Sequence, residues 1–270
     1  MSTTTIASPG DHIITLDGLA FRCRIEGADG APWLVFSNSL MTDLTLWDAQ
    51  VAAFDSHFRI LRYDQRGHGA TGVPTEDCTM AQLAGDLLGI MTACGIARAH
   101  LVGISMGAAT CLGAALKSPE KVARLVLADG QAATPPGGAQ AWEERIAVAQ
   151  GQGMVGLRAP TLARWFTPAT LAANGADVQR VAAMIAATPL SGFLRAVRAL
   201  QAFDFSGDLD HLPCPALMLA GAEDGVLPRT LRTLAAAVPD GRFIEIAGAG
   251  HLPNIEQPAA FNAALADFLL

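Results

Sequence analysis

The sequence predicts an α/β fold: a mostly parallel eight-stranded sheet with helices on both faces and one inserted helical segment. Short apolar runs alternate with amphipathic stretches of helix length, the alternation stops between about residues 131 and 210, and it then resumes. The composition agrees, because 51% apolar against 16% charged residues suits a sheet covered on both faces.

Residues 12–17 and 20–26 mix apolar and polar positions in rough alternation around Asp17-Gly18, a hairpin signal, and predict an antiparallel edge. After Gly27-Ala-Asp-Gly30, the run Pro32-Trp-Leu-Val-Phe36 is continuously apolar, as in a strand buried on both faces. Residues 58–63, 99–104, 123–128, 215–220 and 242–246 repeat that theme. Stretches 44–54, 80–94, 106–117, 230–238 and 257–270 have helical spacing and lie between or after these strands. Right-handed crossovers place the C-terminal ends of the parallel strands on one edge, where ligands bind. Between them, a segment opening with Pro135-Pro-Gly-Gly138 contains helical pieces at 140–151, 153–165, 168–174, 177–187 and 192–203 and no convincing strand. The expected division is a core of residues 1–130 and 211–270 with a helical cap of residues 131–210.

The net charge is −7, from 25 acidic and 18 basic residues, and no basic block could track a phosphate backbone, so nucleic acid is not an expected partner. Lys117 and Lys121 are the only lysines, which leaves arginine, histidine or backbone N–H groups to hold an anion. Cys23, Cys78, Cys94, Cys111 and Cys214 form no C-x-x-C pair and no zinc-spaced cluster, and read as reduced core thiols with no metal site. The first ten residues lack a basic start and an apolar stretch, and no run is long enough to span a bilayer. The expectation is a cytoplasmic protein without a membrane partner, either monomer or homo-oligomer.

Gly103-Ile-Ser105-Met-Gly107 has the form G-x-S-x-G where a predicted strand meets a predicted helix. Glycines at those positions permit a sharp turn that exposes the serine hydroxyl. A serine needs a base within hydrogen-bond reach, and His251, in Gly248-Ala-Gly-His-Leu-Pro-Asn254 after the last predicted strand, is the candidate. Asp224, in Ala220-Gly-Ala-Glu-Asp-Gly225, would orient that imidazole, and Asp129, also at a strand end, is the alternative. An oxyanion formed at Ser105 would need two preorganised donors. The N–H groups of Met106 and Leu40 are the candidates, Leu40 belonging to the loop that follows Phe36.

The chain order serine, aspartate, histidine is that of the α/β hydrolases, and the segment Ser37-Asn-Ser-Leu-Met-Thr-Asp-Leu-Thr-Leu-Trp47 resembles the corresponding loop of the 3-oxoadipate enol-lactonases. Arg62-Tyr-Asp-Gln-Arg-Gly-His-Gly69, the serine motif and Arg164-Trp-Phe-Thr167 extend the similarity over nearly the whole chain. The resemblance implies hydrolysis of a small anionic enol-lactone in aromatic catabolism by a cofactor-free serine mechanism, with Asn38 and Trp165 as candidate substrate contacts. It also locates departures. Where the family usually runs Asn-Thr-Ala-Ala followed by Arg or Lys, this chain has Asp129-Gly-Gln-Ala-Ala133; Met41 and Ala108 stand where glycine is common. With that base gone, Arg164, Arg195 and Arg198 are the candidates for holding a substrate carboxylate. A general carboxylesterase, another lactonase, a C–C-bond hydrolase, a cofactor-free perhydrolase and a binding protein on the same scaffold are the competing expectations.

Overall fold

The structure is a computed structural model and describes residues 8–270. Its eight strands form one sheet: β1 (Gly10–Leu16), β2 (Leu19–Gly27), β3 (Trp33–Ser37), β4 (Arg59–Tyr63), β5 (Ala99–Ile104), β6 (Val122–Ala128), β7 (Ala216–Gly221) and β8 (Gly241–Ile246), in the order β1-β2-β4-β3-β5-β6-β7-β8. Only the β1–β2 and β2–β4 pairs are antiparallel. The hairpin forms because Asp17 and Gly18 both adopt positive φ, 49° and 79°, which matches the twist of the flanking strands.

The central strands are buried on both faces, and their side chains alternate between two cores. Val102, Ile104, Val126 and Leu219 face one cluster, whereas Leu101, Leu125, Leu127 and Met218 face the other. Around the sheet lie α1 (Asp48–Phe54), α2 (Met80–Ala93) and α3 (Met106–Lys117). The expected helix over 44–54 divides, because the Asp43 carboxylate accepts the Thr45 N–H and caps a tighter 3-10 turn, Leu44–Trp47, ahead of α1.

Between β6 and β7 come α4 (Gly138–Trp165), α5 (Pro168–Ala173), α6 (Ala176–Ala187) and α7 (Leu190–Gln201). The two pieces expected at 140–151 and 153–165 are one element broken at Gly153, whose φ of 68° and ψ of −177° are open to glycine alone. The segment is closed at its base. Ala133 bridges to Asp204, Thr134 N–H donates to Phe203 O (2.9 Å), and Phe205 N–H donates to Ala132 O (2.8 Å). The chain finishes with α8 (Leu227–Ala237), β8, α9 (Pro253–Glu256) and α10 (Pro258–Leu269). Helix α8 starts earlier than the expected residue 230 because Pro228 sits in its first turn, where a missing N–H costs nothing.

Among the described residues no single helix is long and apolar enough to cross a membrane. All five cysteines are free and buried, as expected.

The loop after β4 is fastened to α2 by a buried bidentate pair in which Arg66 Nε and Nη2 each donate at 2.5 Å to Asp86. Removing one partner strands a buried charge. Asp86→Ala is therefore expected to lower unfolding free energy by about 3–5 kcal/mol, measurable by denaturant titration, whereas a paired apolar replacement of both residues should recover most of the loss.

Candidate active site

The turn from β5 into α3 is built around Ser105, whose φ of 57° and ψ of −117° lie outside the regions a side chain favours. The conformation is held by its neighbours. Ser105 N–H donates to Ala128 O (2.8 Å) at the end of β6. A Cβ at Gly103 would lie 2.2 Å from Gly107 O, and one at Gly107 would lie 2.1 Å from Ser37 O. Both glycines are required by close backbone approach, and together they let the strand–turn–helix close tightly enough to present the hydroxyl.

His251 follows β8. Its N–H donates to Trp165 O (2.8 Å), and its ring stacks on the Trp165 indole with centroids 5.7 Å apart and an interplanar angle of 27°. The ring Nδ1 donates to Asp224 Oδ2 at 2.6 Å, a tautomer assigned from that carboxylate partner. Asp224 lies in the turn after β7 and is 6% exposed, His251 7%. Burial alone would raise the Asp224 carboxyl, but the imidazole, the neighbouring Asp129 and Arg164 outweigh it and hold this group below the usual carboxylate range. Between the two acids considered from sequence, Asp224 is the one that bonds the histidine. Asp129 instead accepts Gly221 N–H through Oδ1 (2.9 Å).

Ser105 and His251 line one cavity with Leu40, Trp165, Arg164 and Arg145 among its walls, and its volume of about 80 Å³ far exceeds the space one water needs. It shares Gln131, Ala133, Arg164 and Leu227 with a wider groove of about 690 Å³ along α8. Leu40 is buried at the cavity wall, and Met106 is the first residue of α3, whose opening N–H groups have no helical partner. Among the described residues neither amide donates to a backbone acceptor outside the helices and strands. Met41 has φ 61°, a left-handed backbone that favours glycine.

Two groups of expected contacts need correction. Asn38 is fully buried and spent on scaffolding. Its Nδ2 donates to Tyr63 O (2.9 Å), its Oδ1 accepts from Trp47 Nε1 (2.9 Å), and its backbone oxygen accepts from Gln65 Nε2 (2.7 Å). Arg195 donates to Asp77 (2.9 Å) and Arg198 to Glu143, and neither lines the cavity. Arg164 does line it, and Trp165 reaches it while stacked on His251.

Sequence reasoning missed two residues. Arg145 on α4 lines the cavity, with Nη2 donating to Thr161 Oγ1 (2.8 Å) and its guanidinium 4.9 Å from the centre of the Trp142 ring. No carboxylate pairs with it among the described residues, and burial together with the Arg164 charge lowers it to about 10, so it remains cationic near neutrality. The available signal was Trp142 three residues earlier on the same helical face, obscured by Glu143 and Glu144. Glu256 is the other. It accepts from Gly250 N–H (2.6 Å), Thr167 N–H (2.9 Å) and Thr167 Oγ1 (2.9 Å), tying the histidine loop to the helical segment.

Residues 27–264 match the alpha/beta hydrolase family, and the chain belongs to it. It is a hydrolase by that kinship. The chain is 34% identical over 268 residues to 3-oxoadipate enol-lactonase 1 of Acinetobacter baylyi, covering 95% of this chain and 96% of that one. Among solved structures, the enol-lactonase from Burkholderia xenovorans LB400 superposes with a TM-score of 0.91 at 35% identity, covering 96% and 99% of the two chains. A thermophilic esterase from Thermogutta terrifontis, described with malate bound, gives 0.88 at 27% identity, with 96% and 97% covered.

Because Glu256 is the clasp between Gly250 and Thr167, Glu256→Ala is expected to cost about 2 kcal/mol of stability and to reduce turnover by loosening the loop that carries His251. Thermal melts run beside steady-state kinetics check both effects.

Proposed function

We propose that the chain hydrolyses a small ester or lactone that carries a carboxylate, with 3-oxoadipate enol-lactone as the preferred substrate. It would act in the cytoplasm without a metal or organic cofactor. The observation that carries this reading is that His251, hydrogen-bonded to Asp224, lines the same cavity as the strained Ser105 and Arg145.

Ser105 Oγ attacks the lactone carbonyl while His251 Nε2 takes its proton, and Asp224 stabilises the imidazolium through Nδ1. The carbonyl oxygen becomes an anion facing the Leu40 and Met106 amides. Collapse breaks the ring C–O bond, and His251 returns the proton as the enol oxygen leaves. That product stays attached to Ser105 as an acyl group at its other end. Water, deprotonated by His251, adds to the acyl carbonyl, Ser105 is released, and the enol tautomerises to the ketone of an oxo-dicarboxylic acid. The helical segment over residues 131–210 serves as a cap that supplies Trp165 and the arginines and limits the volume beside Ser105.

Arginine is the support for the anionic substrate. Ala133, in the place of the base usual among the enol-lactonases, lines the cavity, and Arg145 lines it as well. A desolvated cation beside another cation, with no acid of its own, is stabilised by an incoming carboxylate.

Ser105→Ala is expected to lower kcat by about 10⁴-fold or more and to abolish fluorophosphonate labelling; an unlabelled, well-folded wild type would favour a binding protein instead. Arg145→Ala should raise KM for the enol-lactone by roughly ten- to a hundredfold while leaving a short neutral ester unaffected. Equal losses on both substrates would remove the anion assignment and leave a general esterase.

A further inference from the structure

Behind the His251–Asp224 pair lies a buried acid that the steps above do not use. Asp129 follows β6 directly, with a left-handed backbone (φ 42°) and its N–H donated to Leu219 O of β7 (2.9 Å). The residue is 1% exposed. Oδ1 is occupied by Gly221 N–H, but Oδ2 is buried with no donor among the described residues to satisfy it. The residue lies against the His251–Asp224 pair: one polar atom from each of Asp129, Asp224 and His251 lies within 4.8 Å of the other two.

Two carboxylates this close in a buried site repel strongly when both are ionised, so one of them favours keeping its proton. The surroundings decide which one is neutral. Burial first, then the charge of Asp224, push Asp129 well above the usual carboxylate range, and Glu256 beyond the histidine adds to this. Asp224, in contact with His251 and approached by Arg164 of α4, is the member that stays charged. Arg145 and Arg164 line the cavity together with Asp129 and His251.

We propose that Asp129 is a positioning residue for Asp224, its Oδ2 retaining a proton and donating it to the Asp224 carboxylate, so that Asp224 keeps its charge and its aim on His251 Nδ1. The proposal rests on the Ser105–His251–Asp224 reading above. It gives the site a fourth member that acts only while protonated, and the hydrogen bond is lost once rising pH ionises Asp129. Stability carries the same signature. Above its ordinary value of 3.8, the folded chain holds a proton on Asp129 that the unfolded chain has released, so stability falls as pH rises through that window until the folded group also ionises.

Asp129→Asn keeps a donor at every pH, and Asp129→Ala removes it. With the enol-lactone or a short ester as substrate, Asp129→Asn is expected to retain kcat within about threefold at neutral pH, to extend activity to higher pH and to lose the decline in stability. Asp129→Ala is expected to lower kcat by about ten- to a hundredfold at unchanged KM. Infrared difference spectra of wild type against Asp129→Asn at neutral pH should show a protonated carboxyl band in the wild type alone, which decides the matter even where Asp129→Ala does not fold. Loss of activity equal in the two variants with both folded would overturn the proposal. So would identical alkaline limbs in wild type and Asp129→Asn, absence of the carboxyl band, or activity removed by a chelator and returned by a divalent cation. An active Ser105→Ala enzyme with the band still present would sink the triad reading and leave the shared proton standing.

Discussion

The backbone strain at Ser105 is the constraint around which the site is arranged. A side chain at φ 57° is unfavourable by roughly 1–3 kcal/mol, and it persists because β5, α3 and the Ser37 loop press together where Gly103 and Gly107 have no side chains to separate them. The same closeness brings the start of α3 and the Leu40 loop beside Ser105, so the serine turn and both segments arise from one packing arrangement. The sheet makes this possible: β3, β5, β6 and β7 are adjacent and parallel, and the segments at their C-terminal ends supply Leu40, Ser105, Asp129 and Asp224.

The helical segment between β6 and β7 completes the site from the other side. Trp165 touches His251 twice, through its carbonyl to the histidine N–H and through its indole to the imidazole face, and Glu256 joins the adjoining backbone to Thr167. The imidazole is thus held by the core through Asp224 and by the helices through Trp165. Its orientation and the shape of the cavity are linked, because Trp165 supports the ring and also lines the space beside Ser105.

Charge inside the cavity follows from what is absent as much as from what is present. The position where a base is usual holds Ala133, and Arg145 reaches the cavity from α4 with no acid paired to it among the described residues. The acids Asp129 and Asp224 differ in environment: Asp224 meets an imidazole, whereas Asp129 accepts a backbone N–H through one oxygen only. Two chemically identical side chains end up with opposite protonation preferences because desolvation acts on both and only one meets the histidine.

Sequence by itself determined the order and type of the elements, the glycine-framed serine turn, and the loops bearing His251 and Asp224. These depend on short-range physics: the two-residue period of strands, helical spacing, and turns that only glycine or a cap can make. Partner choice was different. Asn38 appeared free to meet substrate, yet Tyr63, Trp47 and Gln65 consume it; Arg195 and Arg198 carry the same charge as Arg145, yet Asp77 and Glu143 neutralise them. Whether Asp129 or Asp224 bonds the histidine, and whether Glu256 clasps the loop, likewise depended on which distant segments met. Local pattern specifies where a side chain starts on its own element, but its electrostatic partner is set by tertiary packing, and only the folded chain decides that.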